Sequence, residues 1–406
     1  MSTILVFSHL RWNFVYQRPQ HLLSRLARDY RIVFMEEPVT GSSENSLERI
    51  SACNGVEVLR PHITGETHGF DDENVSLLQG MVSSYLRANC IDDYAIWLYT
   101  PMALPIARQL SANAIIYDCM DELSAFKNAS PHLIKRENEL FGVADIVFTG
   151  GPSLYESKKS RHTNVHCFPS SVDAMHFSPR TNAVDHEAQK DMPFPRMGYY
   201  GVIDERIDIG LIAALADARP EWQMVMVGPV VKIDPDSLPR RPNIHWLGQR
   251  SYEDLPRFAR GWDVCLLPFA LNESTRFISP TKTLEYMAAE RPAVSTPIRD
   301  VVTPYQHVVR IAYNHDEFIE ACALMLAESQ EERAARIQAM RSIIAQTSWD
   351  KTAQMMSKLL AQLRLNNNKA VAEVISLPSS ARSPLTRPIP QVRPVATTQT
   401  QATGRL

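Results

Sequence analysis

VCLLPFALNESTRFISPTKTLEYMAAERPAVST (residues 264–296) decides the architecture. Residues 264–268 are an apolar run of strand length, and 293–296 are a second. Between them lie a polar loop and then 281–289, long enough for a helix. Strand, loop, helix, strand is the repeating unit of a mostly parallel sheet. The loop carries Arg276, Ser279, Thr281 and Lys282, so cations and hydroxyls gather where the helix begins. Free amides at a helix N-terminus favour anions, and Lys282 and Arg276 add charge there. Glu285 follows Lys282 on nearly the same helix face. A carboxylate in that place can accept two hydroxyl hydrogen bonds from a ribose. It can equally form an ion pair with Lys282 on a solvated face.

The same alternation extends in both directions. Towards the C-terminus, helices are expected at 315–329, 331–346 and 349–363. Upstream, strands are expected at 197–200, 223–227 and 243–246, with helices at 208–218 and 252–260. The N-terminal half repeats the pattern, with strands at 3–8, 31–35, 94–99, 114–118, 145–149 and 164–168 and a first helix at 19–28. Residues 178–195 are polar and contain proline, which makes them a linker. The expected organisation is therefore a Rossmann-like domain over 1–177, the linker 178–195 and a second such domain over 196–347. A closing helix at 348–364 and a disordered tail at 365–406 follow, the tail being poor in aliphatics and rich in Pro, Ser, Thr and Gln. Doubly wound sheets bind ligands beyond the carboxyl ends of their strands, and two such sheets facing each other make a cleft.

Composition narrows the function. The chain has 406 residues, with 42 Lys plus Arg against 45 Asp plus Glu, a formal charge of −3. That balance argues against a dedicated nucleic-acid binder. The six cysteines form no CxxC pair and sit in apolar runs, as reduced, buried thiols would. The first residues lack the basic and apolar regions of a signal peptide, and no apolar run is long enough to span a bilayer. A cytoplasmic enzyme is expected, with room for peripheral contact at the inner face of the membrane.

Other loops after strands carry reactive side chains. The loop and helix start at 8–27 hold His9, Trp12, Gln17 and Arg18, polar and aromatic groups suited to an acceptor. YDCMDELSAF (117–126) places Asp121 and Asp118 at a strand end. A carboxylate there can orient an acceptor hydroxyl or take its proton. Asp121 is the first candidate and Asp118 the second, and either can instead cap the next turn. Asp234-Pro235-Asp236 has the DxD form of a metal–nucleotide site, but its setting is that of a turn. No GxGxxG follows 3–8, which weighs against a dinucleotide-dependent oxidoreductase.

PTKTLEYMAAERPAVST (280–296) resembles the donor-site signature of GT-B glycosyltransferases of the family 4 type (group 1). Lys282, Glu285 and Tyr286 match a Lys-x-x-Glu-Tyr variant of the teichuronic-acid-type branch, which the string QRPQHL (17–22) also resembles. The commoner pattern has an additional Glu at the position of Phe277. The resemblance implies a GT-B fold and transfer from a nucleotide-diphosphate sugar, UDP-linked, with retention of configuration. The acceptor would be a glycan or lipid-linked glycan in bacterial polysaccharide or cell-envelope synthesis. It implies donor contacts at Gly201, Arg206, Leu247, Gly248, Arg276, Ser279, Thr281, Lys282 and Glu285, and neither a metal nor another cofactor. A nucleotide-sugar epimerase and a noncatalytic GT-B-like binding partner share this architecture and stand as alternatives.

Overall fold

The computed structural model describes residues 2–180 and 184–376, with 366–376 described as backbone. Two sheets organise the chain. The first contains β1 (Thr3–Ser8), β2 (Arg31–Glu36), β3 (Ser46–Cys53), β4 (Val56–His62), β5 (Tyr94–Leu98), β6 (Ile115–Cys119), β7 (Ile146–Thr149) and β8 (Val165–Cys167). Its order is β3-β4-β2-β1-β5-β6-β7-β8, parallel throughout except for the antiparallel β3–β4 hairpin at one edge. The second contains β9 (Arg196–Tyr200), β10 (Gln223–Val227), β11 (Ile244–Trp246), β12 (Val264–Leu267), β13 (Ala293–Ser295) and β14 (Arg310–Ile311). Its order, β11-β10-β9-β12-β13-β14, is that of a doubly wound dinucleotide-binding sheet.

The central strands are apolar on both faces because helices cover both. Every residue of β1, β5, β9 and β10 is buried. Strand order reverses between β1 and β5 in one sheet and between β9 and β12 in the other. A ligand crevice is expected at the carboxyl end of each reversal.

The chain then returns. The helix Trp349–Ser376 leaves the second domain and packs on the helix Arg18–Leu26 of the first. Its Trp349, Ala353, Met356 and Leu360 join the core of the N-terminal sheet, and Asp350 pairs with Arg25 and Arg28. The helix backbone thus extends beyond residue 364, where a tail was expected to begin, and 377–406 lie outside the described residues. The β3–β4 hairpin is an addition to the expected strands. Cys119, Cys265 and Cys322 are buried as anticipated, whereas Cys53 and Cys90 are exposed. Asp234 accepts from the Asp236 amide and caps a short 3-10 turn.

Candidate active site

The loops after the strands of both sheets converge on one cleft, which encloses about 1040 Å³ of empty space, part of it open to solvent. From the N-terminal domain come Tyr16, Gln17 and Arg18 after β1, Met120 and Asp121 after β6, Gly150 after β7 and Ser170 after β8. From the C-terminal domain come Gly201 and Arg206 after β9, Tyr252, and the run Ser279 to Lys282 with Glu285.

The helix Thr281–Ala288 aims its N-terminus into this cleft. Lys282, in its first turn, makes no ion pair or hydrogen bond among the described residues and lies over the Tyr199 ring at 5.5 Å. Burial pushes its ammonium down to about 8, opposed by the field of Glu285. Gly201 makes room for it. At φ 136° that backbone suits glycine, and a Cβ there would lie 2.7 Å from the Lys282 Nζ.

Glu285, one turn on, is 6% exposed. Burial raises its carboxyl to about 7, and Lys282 holds it from rising further. The Tyr200 and Tyr252 hydroxyls lie within reach of its charge. Both are buried without a hydrogen-bond partner of ordinary geometry among the described residues. Glu285 and the two hydroxyls thus form one polar group at the side of the cleft.

Asp121 lines the same cleft. Its side chain makes no hydrogen bond or ion pair among the described residues. Burial raises its carboxyl above the ordinary range, and Arg206 opposes that shift. Lys282 feels both Glu285 and Asp121, whereas Glu285 is perturbed by Lys282 and Tyr200. Glu285, Lys282 and Asp121 thus share one cleft with Arg206 and Arg18.

The other two cations are already engaged. Arg206 lines the cleft but grips Asp204 through Nε at 3.0 and 3.1 Å and Nη2 at 2.7 Å. Arg18 lines it too, yet its guanidinium is spent on Asp118 (2.9 Å) and the Phe168 carbonyl (2.7 Å). Asp118 is wholly buried, so it serves as the counter-ion of Arg18 and does not meet a substrate.

Several expected site residues lie elsewhere. Trp12 packs edge-on against Phe34 in the core at 5.1 Å, and its amide donates to Glu36. His9 is outside the cleft lining, and burial lowers its imidazole to about 4, so it is neutral. Arg276 points to solvent and pairs loosely with Glu273 at 3.5 Å. Leu247 and Gly248 are also outside the lining; the Leu247 amide donates to Met226 and the Gly248 carbonyl accepts from Gly228. Gln17, Gly201, Ser279 and Thr281 do line the cleft.

Tyr16, like Trp12 a candidate for stacking on a sugar, does line the cleft, where it stacks at 4.5 Å on Tyr252 of the opposite domain, a residue the sequence did not single out. Behind them His21 stacks on Trp349 at 4.7 Å. The domains are also latched by Ser153 on Asp300 and by the Ser170 hydroxyl donating to the Ser279 carbonyl at 2.6 Å. The Asp121 loop is anchored from beneath: Lys158 joins the adjacent Glu122 (2.6 Å) to Glu137 (2.9 Å), which also pairs with Arg161.

Comparison with known proteins agrees with this layout. Residues 197–328 match the family model described as Glycosyl transferases group 1. The putative teichuronic acid biosynthesis glycosyltransferase TuaH of Bacillus subtilis (strain 168) is 24% identical over 272 residues, 62% of this chain and 68% of that protein. Sucrose-phosphate synthase from Thermosynechococcus elongatus superposes with a TM-score of 0.72 at 16% identity, covering 90% of this chain and all (100%) of that one. The E. coli trehalose-6-phosphate structure bound with UDP-2-fluoro glucose gives 0.64 at 12% identity, covering 89% and 99%. The chain is a glycosyltransferase with the GT-B fold.

Proposed function

We propose that this GT-B glycosyltransferase moves a sugar from a nucleotide-diphosphate sugar, UDP-linked, to a glycan or lipid-linked glycan acceptor, with retention, in polysaccharide synthesis. The convergence of Glu285, Lys282 and Asp121 on one interdomain cleft carries this reading. These side chains suit the groups of a nucleotide-sugar donor: ribose diol, diphosphate and sugar hydroxyls. Glu285 accepts from the ribose, alongside the Tyr200 and Tyr252 hydroxyls. Lys282 and the amides of the helix Thr281–Ala288 stabilise the charge that develops on the departing diphosphate. Asp121 faces the sugar and the incoming acceptor hydroxyl, where a carboxylate can orient that group. The chemistry assigned to these residues requires no metal or other cofactor. The identification of UDP draws on the family resemblance and on the nucleotide sugar bound in the E. coli neighbour. The polysaccharide context draws on the teichuronic acid relative. No helix among the described residues is long and apolar enough to cross a membrane, so a lipid-linked acceptor would be met by peripheral contact.

Calorimetric titration with UDP and GDP tests the donor assignment. Selective UDP binding that is lost in Glu285→Ala and Lys282→Ala is expected. No binding of either nucleotide by folded protein would overturn it. Transfer from a panel of UDP-sugars then tests the reaction.

A further inference from the structure

Arg206 lines the cleft, and both domains hold its guanidinium. Asp204 takes one edge, accepting from Nε and Nη2, while Nη1 makes no hydrogen bond or ion pair among the described residues. The N-terminal domain supplies the second contact: the Arg206 Cζ lies over the Phe126 ring, 5.3 Å from its centre. A guanidinium within about 6 Å of a ring centre is attracted by the negative face of the ring.

That contact is part of a clasp between the domains. The Lys127 amide, next to Phe126, donates to the Glu205 carboxylate, next to Arg206, at 2.7 Å. The Glu205 carbonyl accepts from the Asn272 side chain at 2.9 Å. The Lys232 ammonium lies over the same ring at 5.5 Å, and its loop is joined to that of Arg206 by the Ile203–Val230 bridge. On the side of the ring, Lys158 fixes Glu122 at 2.6 Å, and Glu122 accepts from Ser124 at 2.7 Å. The ring is therefore presented on a braced loop, the one that also carries Asp121. Phe126 joins none of the three apolar cores, and its ring meets two cations of the opposite domain instead.

We propose that Phe126 is a positioning residue for Arg206. With the domains shut, its ring and the Asp204 carboxylate hold the guanidinium so that Nη1 can donate to the donor diphosphate. The N-terminal domain thereby completes the phosphate site of the other domain. This role rests on the nucleotide-sugar reading above.

The test is calorimetric titration of the full chain with UDP and with uridine. It compares wild type, Phe126→Leu, Phe126→Tyr, Arg206→Gln and the Phe126→Leu, Arg206→Gln double variant, each shown to be folded by its thermal melt. Phe126→Leu stays apolar but loses the ring, and its UDP affinity is expected to fall about fivefold. Uridine, which has no phosphate, should change by less than about twofold, and Phe126→Tyr, which keeps the ring, should restore UDP to within about twofold of wild type. In the Arg206→Gln background Phe126→Leu should cost less than about twofold more, because the ring then has no guanidinium to hold. Unchanged UDP affinity in Phe126→Leu overturns the proposal. So do equal losses for UDP and uridine, a Phe126→Tyr variant as weak as Phe126→Leu, or losses that add to those of Arg206→Gln, since each follows from packing alone. If Arg206→Gln leaves UDP binding intact, Arg206 does not meet the diphosphate, and the proposal falls while the Lys282 site stands. If folded wild type binds no UDP, the reading above fails and takes this role with it.

Discussion

Replacing Lys282 with methionine removes a cleft cation that makes no ion pair among the described residues and keeps most of its volume. Held near 8, Lys282 is still mostly protonated at pH 7. A charge-assisted hydrogen bond contributes about 1.5–3 kcal/mol net. At 1.4 kcal/mol per tenfold, UDP affinity should fall roughly 10- to 140-fold. Uridine, which has no phosphate, should be affected far less, since Glu285, Tyr200 and Tyr252 remain. The stability change has the opposite sense. Lys282 is desolvated without an ion pair, and replacing such a charge with an apolar group is commonly neutral or stabilising. The melting temperature should therefore hold or rise. Titration with UDP and uridine at pH 7, beside a thermal melt, reads all three quantities. Unchanged UDP affinity, or equal losses for UDP and uridine in a variant that still melts normally, would refute the reasoning.

UDP affinity should be greatest between about pH 7 and 8, measured by titration from pH 5.5 to 9.5. Below 7 Glu285 gains a proton and accepts less well, and above 8 Lys282 loses its charge; Glu285→Gln should remove the part of the acid limb that Glu285 causes. The same raised Glu285 pKa makes its contribution to folding stability present below about 4.5, the unfolded value, and lost as pH rises through about 7. Gly201→Ala should lower UDP affinity at least tenfold and cost about 1–3 kcal/mol of stability in urea titration, because alanine strains the positive φ and crowds Lys282. Lys158→Met strands Glu122 and leaves Glu137 with Arg161, so a loss of about 3–5 kcal/mol is expected by urea denaturation. Trp349→Ala should cost a similar 3–5 kcal/mol, read the same way, since the ring is fully buried against His21.

What the sequence revealed followed distance along the chain. Lys282 and Glu285 were readable because one helical turn fixes their relation before any tertiary contact forms. The buried strands were readable because helices on both faces leave them continuously apolar. The engagement of Arg18 was hidden for the opposite reason: its partner Asp118 is 100 positions away, and local reading offers no sign that the two pair. Arg276 looked like part of an anion site, but the 3-10 turn Glu273–Thr275 directs it outward. The β3–β4 hairpin escaped notice because it is an edge whose charged residues Glu48, Arg49, Glu57 and Arg60 pair across its face. In one dimension those charges look like a loop. Tyr16 and Tyr252 become a stack only when two domains meet.

The return of the helix Trp349–Ser376 to the N-terminal domain has a mechanical consequence. The polypeptide passes between the domains at the linker before β9 and again ahead of Trp349, so two covalent straps join them. A single strap would let the halves swivel freely. Two straps restrict that swivel and leave opening and shutting as the motion they least oppose, as in a book bound at its spine. Glu285 and Asp121, carried on facing pages, then return to the same registration at each closure, and a cut in either strap alone would still leave the pages held together by the other.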